Sequence, residues 1–149
     1  MAIWVDADGC PRAVKEILYR AAERTYAELV LVANRVVRVP PSPLIRTVTV
    51  GRGLDEADDY IAAHVEAGDL VITSDIPLAA QVTERGAMCI EHRGDVVDST
   101  TARQRLAVRE LLEDLRAAGE LQGGPPPFGE RDKRRFAGSL DRLLEKGWG

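Results

Sequence analysis

The run Leu70-Val-Ile-Thr73, with Gly68-Asp69 before it and Ser74-Asp-Ile-Pro77 after it, constrains the fold more than any other part of the chain. It carries no polar alternation, so both of its faces must be covered. That is the condition of a strand inside a parallel sheet with helices on each side. Pro77 suits the first turn of a helix, and apolar spacing extends that helix to about Arg85.

The same strand, turn and helix order recurs along the chain. Ala2-Ile-Trp-Val5 runs into Asp6-Ala-Asp-Gly-Cys-Pro11, after which Val14, Ile17, Leu18, Ala21 and Ala22 follow helical spacing. A second strand is predicted over Glu28 to Ala33. Pro40, Pro41 and Pro43 remove amide donors and disfavour helix, so 34–46 reads as an extended loop leading to a third strand, Thr47 to Val50. Asp55 to Glu66 returns to helical period, Gly68 ends it, and Ala87 to Ile90 is a fifth short strand. Such alternation predicts a three-layer α/β fold with a mostly parallel sheet of about five strands. Beyond residue 98 the spacing predicts helices from about Thr100 to Ala118 and from about Glu130 to Glu145. Between them lies a breaker of Gly119, Gly123, Gly124 and Pro125-Pro-Pro127. These read as a C-terminal helical extension, from about residue 99, packed on the core of one domain spanning 1–149.

No apolar run approaches the roughly 20 residues a bilayer requires, and no charged n-region with an apolar run opens the chain, so no membrane partner is expected. Two cysteines, Cys10 and Cys89, are too few for a disulfide scaffold and lack metal-binding spacing, which fits a reducing cytoplasm. A net charge of −4 argues against nonspecific coating of nucleic acid while leaving room for a local basic groove. Arginine supplies 17 of the 20 cations, and no lysine lies between Lys15 and Lys133.

Two strands that read as buried end in aspartate, at Asp6 and Asp8 and at Asp75. In a parallel sheet these ends share one edge, the edge where α/β proteins bind ligands. Asp55, Asp58 and Asp59 open a helix, with Asp55 and Asp58 on one of its faces. Each acid has a structural alternative: Asp75 and Asp8 as helix caps, and Asp55 to Asp59 at the positive end of a helix dipole. Together they need a cation, protonation or solvent, because like charges at about 4 Å repel by about 1 kcal/mol even in water. Hard divalent cations, Mg2+ or Mn2+, take such oxygen ligands, and Asp6, Asp8, Asp55, Asp58 and Asp75 are the candidates.

Ile3-Trp-Val-Asp-Ala-Asp8 with Cys10-Pro11, Leu31-Val-Ala-Asn34, the segment Gly53 to Ile61, Gly68 to Ala80, and Gly124-Pro125 with Asp132 and Phe136 resemble the YaiI/YqxD family of uncharacterised bacterial proteins. That family is similar to PIN-like domains, nucleases whose acidic residues gather Mg2+ or Mn2+. The resemblance implies a PIN-like domain with Asp6, Asp58 and Asp75 as its catalytic carboxylates. Many PIN domains place one more acid just after the last of these. Ile76 to Gln81 contains none, which leaves Asp8 or Asp55 to complete the set.

The leading expectation is therefore metal-dependent phosphodiester hydrolysis, in RNA, with Thr73, Ser74, Arg93 and Arg134 as substrate contacts. Asp6-Ala-Asp-Gly-Cys10 also resembles the aspartyl nucleophile motif of haloacid dehalogenase phosphatases. That chemistry, like a phosphorylated receiver domain, needs a lysine, and only Lys133 or Lys146 would remain for it. A third reading is a non-catalytic RNA- or protein-binding module, using Arg131, Lys133, Arg134 and Arg135 or the loop cations Arg35, Arg38, Arg46 and Arg52. His92 falls at the strand edge as a further site candidate. His64, Cys10, Phe128, Phe136 and Trp148 read as packing residues.

Overall fold

The computed structural model describes residues 1–53, 55–119 and 126–146. Its elements are β1 (Ala2–Asp6), α1 (Arg12–Thr25), β2 (Glu28–Ala33), β3 (Ile45–Thr49), α2 (Glu56–His64), β4 (Leu70–Ile72), α3 (Ile76–Glu84), β5 (Met88–Ile90), β6 (Val96–Val97), α4 (Ser99–Ala117) and α5 (Glu130–Lys146). They form a three-layer α/β arrangement. The breaker residues Gly123, Gly124 and Pro125, together with Trp148, lie outside the described residues.

The sheet order is β3-β2-β1-β4-β5-β6, with the first five strands parallel and β6 antiparallel to β5. Side chains alternate across it. Ile3, Val5, Leu29, Leu31, Leu70 and Ile72 pack against α1 and, through Phe136 and Leu140, against α5. Trp4, Val30, Val32 and Val71 face the other way, onto Ala57 and Ile61 of α2 and Leu78 and Val82 of α3. Trp4 lies under a stacked pair from α2, Tyr60 and His64, whose ring centroids are 4.0 Å apart. Leu70, Val71 and Ile72 are wholly buried, as a strand without polar alternation demands.

The structure departs from the sequence reading most clearly at β3 and β6. β3 begins at Ile45 rather than Thr47, because the Leu29 N–H donates to the Leu44 carbonyl at 2.8 Å and parallel pairing starts at once. β6 is a sixth strand, and two residues are too few to show a period. The two C-terminal helices also differ from each other. α5 buries Phe136, Ser139 and Leu140, whereas Ala102 is the buried residue of α4, which leans on α3 and leaves Val108 and Leu111 exposed.

From β1 the chain moves outward through β2 and β3, then returns to place β4 on the other side of β1. The crossovers diverge at the carboxyl ends of β1 and β4, and such a switch point opens a crevice.

Candidate metal centre

Asp6 is the last residue of β1, and Thr73, Ser74 and Asp75 continue β4 past its end, so the crevice is acidic by topology. Thr73 is wholly buried between them. Its hydroxyl donates to Asp6 Oδ2 at 3.1 Å and accepts from the Asp75 N–H at 3.0 Å, using both capacities of the group. Thr73 thus positions two carboxylates and presents no surface to a substrate. Asp75 Oδ1 accepts from the Leu78 N–H at 2.9 Å and caps α3, while the rest of its carboxyl group faces the crevice. The capping reading and the site reading of Asp75 hold together.

Asp8 does not cap α1, whose N-cap is Pro11 without a side-chain bond. Its Oδ2 accepts from the Asn34 N–H at 2.8 Å instead, tying the β1 turn to the end of β2. Asp55 is the N-cap of α2 in the left-handed region, with φ 65°, and makes no side-chain cap bond. Aspartate is among the few residues that tolerate this conformation. The first turn of α2 supplies Asp58.

These residues line a pocket of about 300 Å3 whose walls carry Asp6, Asp8, Asp55, Glu56, Asp58 and Asp75, with Asn34 and Arg52. Six carboxyl groups face one guanidinium, and the electrostatics follow. Burial pushes the Asp6 carboxyl up to about 6 against the Thr73 hydrogen bond that lowers it, with Asp75 and Asp8 adding repulsion. Asp58 is pushed up to about 7, first by burial, then by the charges of Asp75 and Asp6, with the close approach of the Asp75 carboxyl and the charge of Asp55 adding to it. A pocket that holds protons near neutrality is one where a cation would be welcome.

Among the described residues, no three acids, histidines or cysteines stand close enough to enclose a metal by themselves. The all-oxygen donor set still fits Mg2+ or Mn2+, since such ions are commonly held by one or two carboxylates, with water and substrate phosphate completing the shell.

The other sequence-predicted contacts are placed elsewhere. Arg93 is engaged by Asp132 at 3.0 Å and by the Pro126 carbonyl, fixing α5 to the β5–β6 turn. Arg134 is exposed on α5, whose buried residues pack on the opposite face of the sheet from α2. The Ser74 hydroxyl accepts from the His92 N–H at 3.3 Å. His92 Nε2 is buried without a partner, and burial lowers that imidazole to about 4. Cys10 is buried, and its thiol is pushed up to about 12, as packing requires. Asn34 and Glu56 are lining residues that the sequence reading missed. Asn34 directly follows β2, so the strand-end rule already contained it.

A family model described as "Uncharacterized BCR, YaiI/YqxD family" matches residues 4–146. The chain is 54% identical over 144 residues to UPF0178 protein Bpet3884 of Bordetella petrii, covering 97% of this chain and 96% of that one. It is 56% identical over 142 residues to UPF0178 protein Shewmr4_1560 of Shewanella sp. strain MR-4, covering 95% of each. No solved structure matches it.

Proposed function

The chain belongs to the YaiI/YqxD family, and for this member we propose metal-dependent hydrolysis of phosphodiester bonds, with RNA as the substrate. One observation carries the reading: Asp6, Asp58 and Asp75, from three separate elements, line a single pocket at the sheet's switch point. The resemblance to PIN-like nucleases supports it.

One or two of Asp6, Asp58 and Asp75, with water and substrate phosphate completing the shell, would hold Mg2+ or Mn2+, with Asp8 and Asp55 beside them. Such an ion, when bound, makes water a better nucleophile and offsets charge on the phosphate. The chain's own residues do the rest. Thr73 fixes the spacing of Asp6 and Asp75 through its hydroxyl. Asp58, raised to about 7 in the metal-free chain by burial and by the charges of Asp75 and Asp6, would release its proton as it binds the ion. Arg52, in the pocket wall, meets a phosphate oxygen.

The phosphatase reading finds less support, because the cation in this pocket is Arg52 and Lys133 sits on α5, outside the pocket lining. The side chain of Lys146 lies outside the described residues.

Cleavage of labelled single-stranded RNA and DNA, with Mg2+ or Mn2+ and with chelator, tests the proposal. Metal-dependent cleavage of RNA that falls about 100-fold or more in Asp6→Asn and Asp58→Asn supports it. Activity unchanged in both variants sinks it.

A further inference from the structure

The acidic pocket is two-sided by topology. The strand order β3-β2-β1-β4 places Asn34, just past β2, and Arg52, in the loop after β3, on one side of Asp6, while Asp75 follows β4 on the other. Its side-chain donors, Arg52 and Asn34, therefore both come from the β3–β2 side. The groove of about 900 Å3 between residues 74–76 and α4 has no such polarity, since Asp75, Glu91 and Glu113 line it together with Arg105, Arg109 and Arg116.

Asn34 is half-buried, and its backbone is held from two sides. Its N–H donates to Asp8 Oδ2 at 2.8 Å, and the carbonyl of Ala33 before it accepts from the Val50 N–H, just past β3, at 2.9 Å. The Asn34 side-chain amide has no hydrogen-bond partner among the described residues, although it lines the pocket. A fixed backbone carrying an uncommitted polar group is a preorganised contact. An amide both donates and accepts, whereas a carboxylate only accepts and a guanidinium only donates. It is also neutral, so it matches a hydroxyl better than a phosphate oxygen or a cation.

We propose that Asn34 reads the ribose 2′-hydroxyl of the nucleotide beside the scissile phosphate, and so sets the preference of this site for RNA over DNA. The inference rests on the hydrolysis reading and assigns its sugar specificity to one residue. The 2′-hydroxyl, too, donates and accepts, and it is the group by which a protein tells RNA from DNA at a given position. β2 lies one strand spacing, about 4.8 Å, from β1, so a phosphate held near Asp6 keeps the sugar it esterifies within reach of Asn34. A deoxyribose leaves the amide without that partner. Because Asn34 is half-buried, water replaces part of the lost bond, and the discrimination is about 10-fold rather than the roughly 10,000-fold of an enclosed hydroxyl site.

The test is cleavage of matched single-stranded RNA and DNA by the full chain with Mn2+, in wild type, Asn34→Ala and Asn34→Ser. In the wild type, kcat/KM for RNA exceeds that for DNA by about 10-fold. Asn34→Ala removes most of this ratio, and Asn34→Ser, which keeps a short donor and acceptor, recovers part of it. A merely structural effect lowers both rates together and leaves the ratio standing. That result overturns the proposal while the hydrolysis reading stands, as does a wild type that cuts both strands equally. Where neither strand is cut, the hydrolysis reading falls and Asn34 is judged by binding alone. Adenosine 3′-monophosphate and its 2′-deoxy counterpart are then titrated calorimetrically into the Mn2+-treated wild type and Asn34→Ala. Tighter binding of the ribonucleotide that Asn34→Ala abolishes supports the assignment. Equal binding of the two nucleotides in the wild type, or binding of neither, overturns it.

Discussion

Two aspartates at opposite ends of the β1–β4 pair, Asp69 buried and Asp6 half-buried, are placed in opposite chemical company. Asp69, just before β4, is 7% exposed and accepts from the Ala2 N–H at 3.0 Å, the Trp4 indole N–H at 3.0 Å and the Glu66 N–H at 2.9 Å. Asp6, at the far end of β1, accepts from one hydroxyl and otherwise faces acids. A carboxylate surrounded by donors is finished as a structural joint. One surrounded by carboxylates has capacity left for a cation or a proton, so its neighbours, more than its burial, mark it as chemical.

The sharpest way to break this comparison is Asp69→Ala. Three buried or half-buried N–H groups lose their acceptor, and stability should fall by about 3–5 kcal/mol in denaturant unfolding. A loss below about 1 kcal/mol would mean that Asp69 is no joint. A smaller effect is expected at Gly94, where φ is +99° and an added Cβ would stand 2.6 Å from the Arg135 backbone carbon. Gly94→Ala should cost about 2 kcal/mol, and a melting temperature equal to wild type would remove the close approach of α5 to the β5–β6 turn.

The smallest effect has the opposite sign. Because Asp6 is raised to about 6 in the folded chain, the native state binds more protons than the unfolded one between about pH 4 and pH 6. Its contribution therefore favours folding at low pH and becomes a penalty as pH rises through 6. Asp6→Asn should stabilise the metal-free protein by about 1 kcal/mol at pH 8, after solvent screening, and by less at pH 4. Melting curves at the two pH values check this. Destabilisation at pH 8 would place Asp6 with Asp69 as a joint.

The parallel sheet and its acidic edge were legible because they depend on local facts: an apolar strand, an aspartate after it, a helix after that. Asp6 and Asp75 meet because strand ends share an edge, which sequence order expresses, whereas Asp58 joins them from the first turn of α2 and was read from the resemblance. Arg93 was read as a substrate contact for the same positional reason. Its engagement with Asp132 depends on a partner 39 residues away, which no local pattern contains. The groove beside α4 was illegible too, since it arises from how α4 lies beside residues 74–76 rather than from the spacing on either segment. Asp69 sits inside the most distinctive stretch of the sequence, yet its task depends on the Trp4 side chain across the sheet.

The ring stack over β1 has an optical consequence. The indole of Trp4 is held from one side by Asp69 and overlain by Tyr60 and His64, two residues of the helix that carries Asp58. Any shift of that helix over the crevice changes the electronic surroundings of a fixed fluorophore. The protein thus carries its own emission gauge for events at Asp58, readable by titrating a divalent ion into the unlabelled chain.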